Sequence, residues 1–198
     1  NLTIVDDGGV DALDASTSSL SAYIDLRGSK VSSIGMDADG TAKFSNVAIA
    51  SGSLIENVTG TAYDDVIFGN VQNNFITFIG GNDMVDGQAG MDTLRLWNTA
   101  AEFKVYKEAT TGSWNVEALN NATGSIELQN MERIYFVDKA WALDMGNNEN
   151  AGRTAKILGA LFGTEGLSYP SFRGIGLYYL DAGVSYEALM GAAVDTRL

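Results

Sequence analysis

Gly80-Gly81-Asn82-Asp83-Met84-Val85-Asp86-Gly87-Gln88-Ala89-Gly90-Met91-Asp92-Thr93-Leu94 holds two copies of one pattern, an aspartate followed two positions later by an aliphatic: Asp83 with Val85, and Asp92 with Leu94. Stepping backwards by nine gives Asn74 with Ile76, Asp65 with Ile67 and Glu56 with Val58. Acid-or-amide positions recurring at one interval, each with an aliphatic at the same offset, constitute a repeat. Glycine and asparagine gather just before them, at Gly60, Gly69-Asn70, Gly80-Gly81-Asn82, Gly87 and Gly90.

A nine-residue unit has room for a tight turn of about six residues and a strand of about three. The aliphatic at the strand centre points inward and its neighbours point outward. Two units then make one coil of a flattened parallel solenoid, with turns on both edges and a thin apolar core. Stacking sets Asp65 beside Asp83 on one edge and Glu56, Asn74 and Asp92 in a column on the other. Carboxylates stacked at strand spacing repel unless a cation lies between them. Hard oxygen donors select Ca²⁺ over transition metals, and glycine lets turn carbonyls face such an ion.

Composition agrees. The chain of 198 residues carries 25 Asp+Glu against 12 Lys+Arg, a net charge of -13. That balance excludes a nucleic-acid partner, whose phosphates need a basic surface, and favours cations. With no cysteine and no histidine, disulfides, thiolate or imidazole zinc sites and Ser-His or Cys-His nucleophiles are excluded. Catalytic residues are therefore expected to be none. No run of about 18 apolar residues suggests a membrane span. The N-terminus lacks the basic and apolar blocks of a signal peptide. The chain begins in a strand-like segment and reads as a piece of a longer polypeptide.

Three textures divide the chain: residues 1–96, 97–145 and 146–198. The second alternates as strands do, at Phe103-Lys104-Val105-Tyr106, Trp114-Asn115-Val116-Glu117 and Ile134-Tyr135-Phe136-Val137, with turns at Thr111-Gly112 and Asn120-Asn121. The third is helical. Ile157, Leu158, Leu161 and Phe162 share one face, Ser185 is an N-cap for a last helix over Tyr186 to Arg197, and Gly163 and Gly183 sit at helix C-termini. Phe172, Tyr178, Tyr179 and Trp141 are read as packing residues rather than a ligand groove. Asp37-Ala38-Asp39-Gly40 is read as a plain surface turn.

The Gly80–Leu94 stretch resembles the nonapeptide GGxGxDxUx of RTX proteins, the hemolysin-type calcium-binding repeat. Val5-Asp6-Asp7-Gly8-Gly9-Val10-Asp11-Ala12-Leu13-Asp14, Ile24-Asp25-Leu26-Arg27, Val47-Ala48-Ile49-Ala50 and Ile55-Glu56-Asn57 extend the likeness. In that order they resemble, over residues 1–96, the C-terminal domain of serralysin-type metalloproteases. Ile126–Asp138 is similar to the β-rich segment that follows RTX arrays. Gly174–Tyr186 is similar to helical modules near the C-termini of such proteins.

The resemblance implies a mainly β fold: a parallel β-roll (RTX solenoid), then a β-rich segment and a small C-terminal α-helical module. It implies Ca²⁺ as cofactor, one to three ions in the roll, type I secretion and an extracellular or cell-surface location. Side-chain ligands carried over are Asp65, Asp83, Glu56, Asn74 and Asp92. Carbonyl ligands are those of Gly60, Gly69, Gly81, Gly87 and Gly90. Asp6, Gly8, Gly9 and Asp11 match an additional calcium site. Tyr63, Gln72, Phe78 and Ile79 stand where the repeat has glycine, so their turns are expected to be strained, and the turns at Gly80–Asp83 and Gly87–Asp92 to be the best formed. The reading ranked first is a non-catalytic, calcium-folded module of a surface-layer, adhesin or filament protein that self-associates. The alternative is the secretion and stabilisation domain of an exported serralysin-like protease whose catalytic HExxH lies outside this chain.

Overall fold

The computed structural model describes residues 1–36, 40–120 and 123–195. The Asp37–Asp39 part of the expected surface turn, Asn121 of the expected turn at Asn120-Asn121, and Arg197 at the expected helix end lie outside them. The chain forms two compact units, Asn1–Trp141 and Ala142–Leu198.

The first unit is built from short strands. Strands β1 (Leu2–Ile4), β4 (Val31–Ser32) and β5 (Val47–Ile49) make a small sheet in the order β1-β5-β4. The other strands make two six-stranded sheets. One holds β2 (Ala12–Asp14), β6 (Asn57–Thr59), β8 (Phe75–Thr77), β10 (Thr93–Arg95), β14 (Arg133–Tyr135) and β15 (Ala140–Ala142). The other holds β3 (Tyr23–Asp25), β7 (Val66–Phe68), β9 (Gly81–Asp86), β13 (Gly124–Gln129), β12 (Trp114–Ala118) and β11 (Phe103–Lys107).

From β6 to β10 successive strands alternate between these two sheets, and like strands pair in parallel. Leu13, Val58, Ile76, Leu94 and Ile134 fall in register in the first sheet. Ile24, Ile67, Val85 and Leu128 do so in the second. Of these strand centres the nine-residue spacing marks Val58, Ile67, Ile76, Val85 and Leu94, while Leu13, Ile24, Leu128 and Ile134 join them from outside it, and all but Leu13 are almost wholly buried. Burying each such aliphatic contributes roughly 1.5–3 kcal/mol, which the short strands need because three residues carry few ladder hydrogen bonds.

The parallel run ends differently in the two sheets. In the second, β13 pairs parallel with β9 and then antiparallel with β12, which pairs antiparallel with β11. This hairpin set grows from the alternating sequence of residues 103–118 and its turn at Gly112, φ +76°. Pairing with β13 over six residues draws Gly81–Asp83 into β9. The turn expected at Gly80–Asp83 is therefore largely strand. The left-handed strain expected at Tyr63, Gln72, Phe78 and Ile79 also falls elsewhere. Among the described residues the non-glycine positive φ values belong to Ser29, Ser45, Gln88 and Asn130.

The second unit holds α1 (Asn150–Phe162), α2 (Pro170–Asp181) and α3 (Tyr186–Asp195). Ser185 Oγ accepts the Ala188 N–H at 3.1 Å as an N-cap, and Gly163 and Gly183 have φ of +66° and +85°. Ile157, Leu158 and Leu161 are buried, but Phe162 is exposed and stacks on Phe172 at 5.0 Å. The aromatics expected to pack do make ring contacts, Phe172 with Phe162 and Trp141 edge-on to Phe136 at 5.5 Å, but they are not covered. Phe172, Tyr178, Tyr179 and, in the first unit, Trp141 are all exposed, because helical spacing defines a face without supplying a layer to cover it. No described helix is long and apolar enough to cross a membrane.

Candidate metal centre

Each repeat turn places its acid-or-amide side chain against the backbone of the coil before it. Asp83 Oδ1 accepts the Asp65 N–H at 2.9 Å, 18 positions back in the chain. Asp92 Oδ1 accepts the Asn74 N–H at 2.7 Å, again 18 positions back. Where the chain does not keep that interval the contact persists. Asp65 Oδ1 takes the Ala22 N–H at 2.7 Å, Glu56 Oε2 takes the Asp11 N–H at 2.9 Å, and Glu132 Oε2 takes the Asp92 N–H at 2.7 Å. Asn74, an amide in an acid's place, donates from Nδ2 to the Glu56 carbonyl at 3.0 Å.

Two columns result. Asp65 and Asp83 stand on one edge, and Glu56, Asn74, Asp92 and Glu132 on the other. Glu132 escapes the nine-residue count because residues 97–123 intervene. The Ile126-Glu127-Leu128 alternation followed by Glu132-Arg133-Ile134 is the sequence signal that would have placed it, since Ile134 sits two positions after Glu132 as Leu94 does after Asp92.

These acids are buried: Asp65, Asp83 and Asp92 are 1%, 6% and 0% exposed. Burial pushes the Asp83 carboxyl up to about 8, opposed by the Asp65 N–H and reinforced by the charges of Asp65 and Asp64. Burial likewise pushes Asp92 up to about 7, opposed by the Asn74 N–H and reinforced by Glu132 and Asp86. Asp65 is raised too, again by burial, with backbone donors from Thr61 and Ala22 and the Thr61 hydroxyl pulling the other way. Backbone N–H groups thus satisfy part of each carboxylate without neutralising it.

The carbonyl donors named from the repeat fall into two kinds. Gly69 lies where an added Cβ would overlap Asn74 Oδ1 and the Gly87 carbonyl, and Gly87 where it would overlap Asp92 Oδ2 and the Asn130 carbonyl. In both places bare Cα atoms leave room for oxygens to converge. At Gly60 the neighbouring oxygen is Asp65 Oδ2. Gly81 and Gly90, at φ +103° and +137°, pack on the Tyr63 and Gln72 carbonyls. Beside Asp83 a cavity of about 370 Å³ is lined by Asp64, Asp65, Asn82, Ser125 and Glu127.

At the N-terminal end, Asp6 Oδ1 accepts the Gly8 N–H at 3.2 Å, and Gly8 and Gly9 have φ of +124° and +141°. The Asp11 carboxyl is raised, first by burial and then by its contact with Asp6 and the charges of Glu56 and Asp7. The structure therefore sets the Asp11 side chain beside Asp6 and Gly9, while Glu56 reaches the Asp11 backbone N–H.

Among the described residues no three Asp, Glu, His or Cys side chains converge as a metal cluster. An ion here would take one carboxylate per turn with backbone carbonyls for the rest, a donor set that suits calcium. The residues fit on a further ground. Asp92 Oδ2 is buried with no hydrogen-bond partner.

Comparison with known families bears on this arrangement. The family described as Peptidase M10 serralysin C terminal matches residues 2–160. The chain belongs to that family. The match runs through the hairpin set and into α1, well beyond the 1–96 of the resemblance. This serralysin C-terminal segment corresponds to the C-terminal, non-catalytic part of M10 peptidases. The match favours the secretion and stabilisation reading over the surface-layer or filament reading ranked first. No curated protein matches the chain.

Proposed function

We propose that this chain is the calcium-loaded secretion and stabilisation segment of an exported serralysin-like metalloprotease, and that its two alternating parallel sheets are the faces of a β-roll. The family match over residues 2–160 carries this reading. The buried acidic columns support it physically. In low calcium, ionising Asp65, Asp83 and Asp92 opposes the packed state, which keeps the chain extended and suited to a type I exporter. Outside the cell, calcium supplies the missing positive charge and the fold closes. Asp65, Asp83 and Asp92, with carbonyls around Gly60, Gly69 and Gly87, would hold the ions, and Asp6 and Asp11 a further one. The group's chemistry here is charge compensation.

Extracellular calcium modules bind with Kd of about 10⁻⁴–10⁻³ M. Each site at ten times Kd adds about 1.4 kcal/mol, enough for a few sites to decide whether a marginal fold forms. Circular dichroism and thermal melting in chelator and in millimolar calcium test this. A spectrum and melting temperature unchanged by calcium would refute it.

A further inference from the structure

The helical unit contains a cavity among α1, α2 and α3, about 530 Å³ in volume, walled by Ile157, Leu158 and Leu161 of α1 and by Ala188, Leu189 and Ala192 of α3. The alanines of α3 leave space that larger side chains would fill. Phe172 of α2 borders it as well, stacked on Phe162 at 5.0 Å. Between Glu187 and Asp195 helix α3 has no charged residue, yet it buries none of its own side chains. Among the described residues, the three helices therefore hold apolar surface that they do not close.

One buried polar atom marks this cavity. Thr154 lines it and is 3% exposed, and its Oγ1 is buried with no hydrogen-bond partner. A threonine inside a helix ordinarily turns its hydroxyl to a carbonyl of the preceding turn, and a buried hydroxyl left unpaired opposes folding. On the facing helix stands Gly176, where a Cβ would come within 2.6 Å of Thr154 Cγ2 and 3.2 Å of Oγ1. Glycine therefore puts no side chain of α2 against the hydroxyl. Among the described lining residues no side chain is charged, so an ionised ligand would lose its water there without compensation.

We propose that this cavity binds a small uncharged amphiphile, an aliphatic chain ending in a single hydroxyl, whose polar end pairs with Thr154 Oγ1. The volume is that of a small-molecule pocket. It is less than the roughly 850 Å³ that two turns of a partner helix, about 10 Å across, would occupy. The chain of the ligand covers the leucines and isoleucine of α1 and the alanines of α3, and its hydroxyl supplies the partner that the threonine lacks. The site lies wholly within the second unit, offers no carboxylate, and stands apart from the calcium reading.

Titration of the full chain in millimolar calcium with 1-octanol, followed by ¹³C methyl NMR, tests this site. The alcohol is expected to shift the methyl signals of Ile157, Leu158, Leu161 and Ala188 saturably, and octanoate to leave them in place. Thr154→Val keeps the shape of the side chain and removes the unpaired hydroxyl, so it should fold. It is expected to weaken 1-octanol about fivefold and to leave the binding of n-hexane, which has no polar atom, unchanged. Ala188→Phe, which fills the cavity from α3, should abolish both. Absence of saturable shifts in wild type would overturn the proposal. So would octanoate binding as tightly as 1-octanol, or wild-type affinity for the alcohol in Thr154→Val. A wild-type dimer in sedimentation velocity that Ala188→Phe dissociates and 1-octanol does not would assign the cavity to a second copy of the chain, and overturn it too.

Discussion

Asp83→Asn should stabilise the metal-free protein at pH 7 and weaken the calcium-loaded one. An acid whose carboxyl is raised in the fold from 3.8 to about 8 holds its proton more tightly folded than unfolded. Its favourable contribution is complete below the unfolded value and is lost as pH rises towards the folded one. Each pH unit in that window removes about 1.4 kcal/mol, so by pH 7 the metal-free fold has lost about 4 kcal/mol at this residue. Asparagine keeps an oxygen for the Asp65 N–H and never ionises. Its new amide N–H₂ needs an acceptor, and leaving it unmet costs about 1–3 kcal/mol. The net expectation is a gain of about 1–3 kcal/mol at pH 7, falling to zero near about pH 5 and becoming a loss of about 1–3 kcal/mol near pH 4. In millimolar calcium the order reverses, because the amide carries no charge for the ion. Urea unfolding followed by tryptophan fluorescence from pH 4 to 8, on protein freed of metal and then reloaded, reads both effects. The reasoning is refuted if metal-free wild type grows more stable from pH 5 to 8, or if Asp83→Asn is the weaker protein without calcium at pH 7.

Other outcomes follow from the packing. Ile76→Ala removes a strand centre that is 1% exposed and should cost about 2–5 kcal/mol in urea unfolding, whereas Met84→Ala on an exposed position should stay within about 0.5 kcal/mol. Gly124→Ala puts a Cβ into the Gly81 carbonyl at a backbone φ of +94°. It should cost more than the roughly 1–2 kcal/mol of left-handed strain alone and shift β13 against β9, seen as lost amide protection along that pair. Arg95, whose guanidinium lies 3.5 Å from the Trp97 ring centre, should on change to Ala cost about 0.5–1 kcal/mol and alter Trp97 fluorescence.

The interval between Asp65, Asn74, Asp83 and Asp92 was enough to place the strand centres, because a short strand with one buried residue leaves a period that survives in the chain. It also put Asp65 with Asp83 and Asn74 with Asp92. What the interval could not reach were partners brought into the columns across loops of unequal length: Ala22, Asp11 and Glu132 meet the repeat through backbone pairing of β2, β3 and β14. The hydrogen bonds of the carboxylates were also hidden. Stacked acids were read as facing one another across a cation, whereas each also has a backbone N–H of the neighbouring coil, a donor that residue identity does not reveal. Gln88 shows the same limit. Strain was sought where glycine was missing at Tyr63 and Gln72, but Gln88, one of four left-handed non-glycine residues among those described, is the one whose N–H Asp86 captures. In the helical unit, capping was legible at Ser185, and the exposure of Phe172 and Tyr179 was not, since a helical face says nothing about what lies opposite.

The central claim is that the buried acidic edges of this fold are compensated by calcium. Anomalous difference density from crystals grown in millimolar calcium tests it most directly. The account predicts peaks beside Asp92 and along the Asp65–Asp83 edge, each within about 2.3–2.6 Å of its carboxylate oxygen. Well-ordered Asp83 and Asp92 side chains with no anomalous peak near either would contradict it.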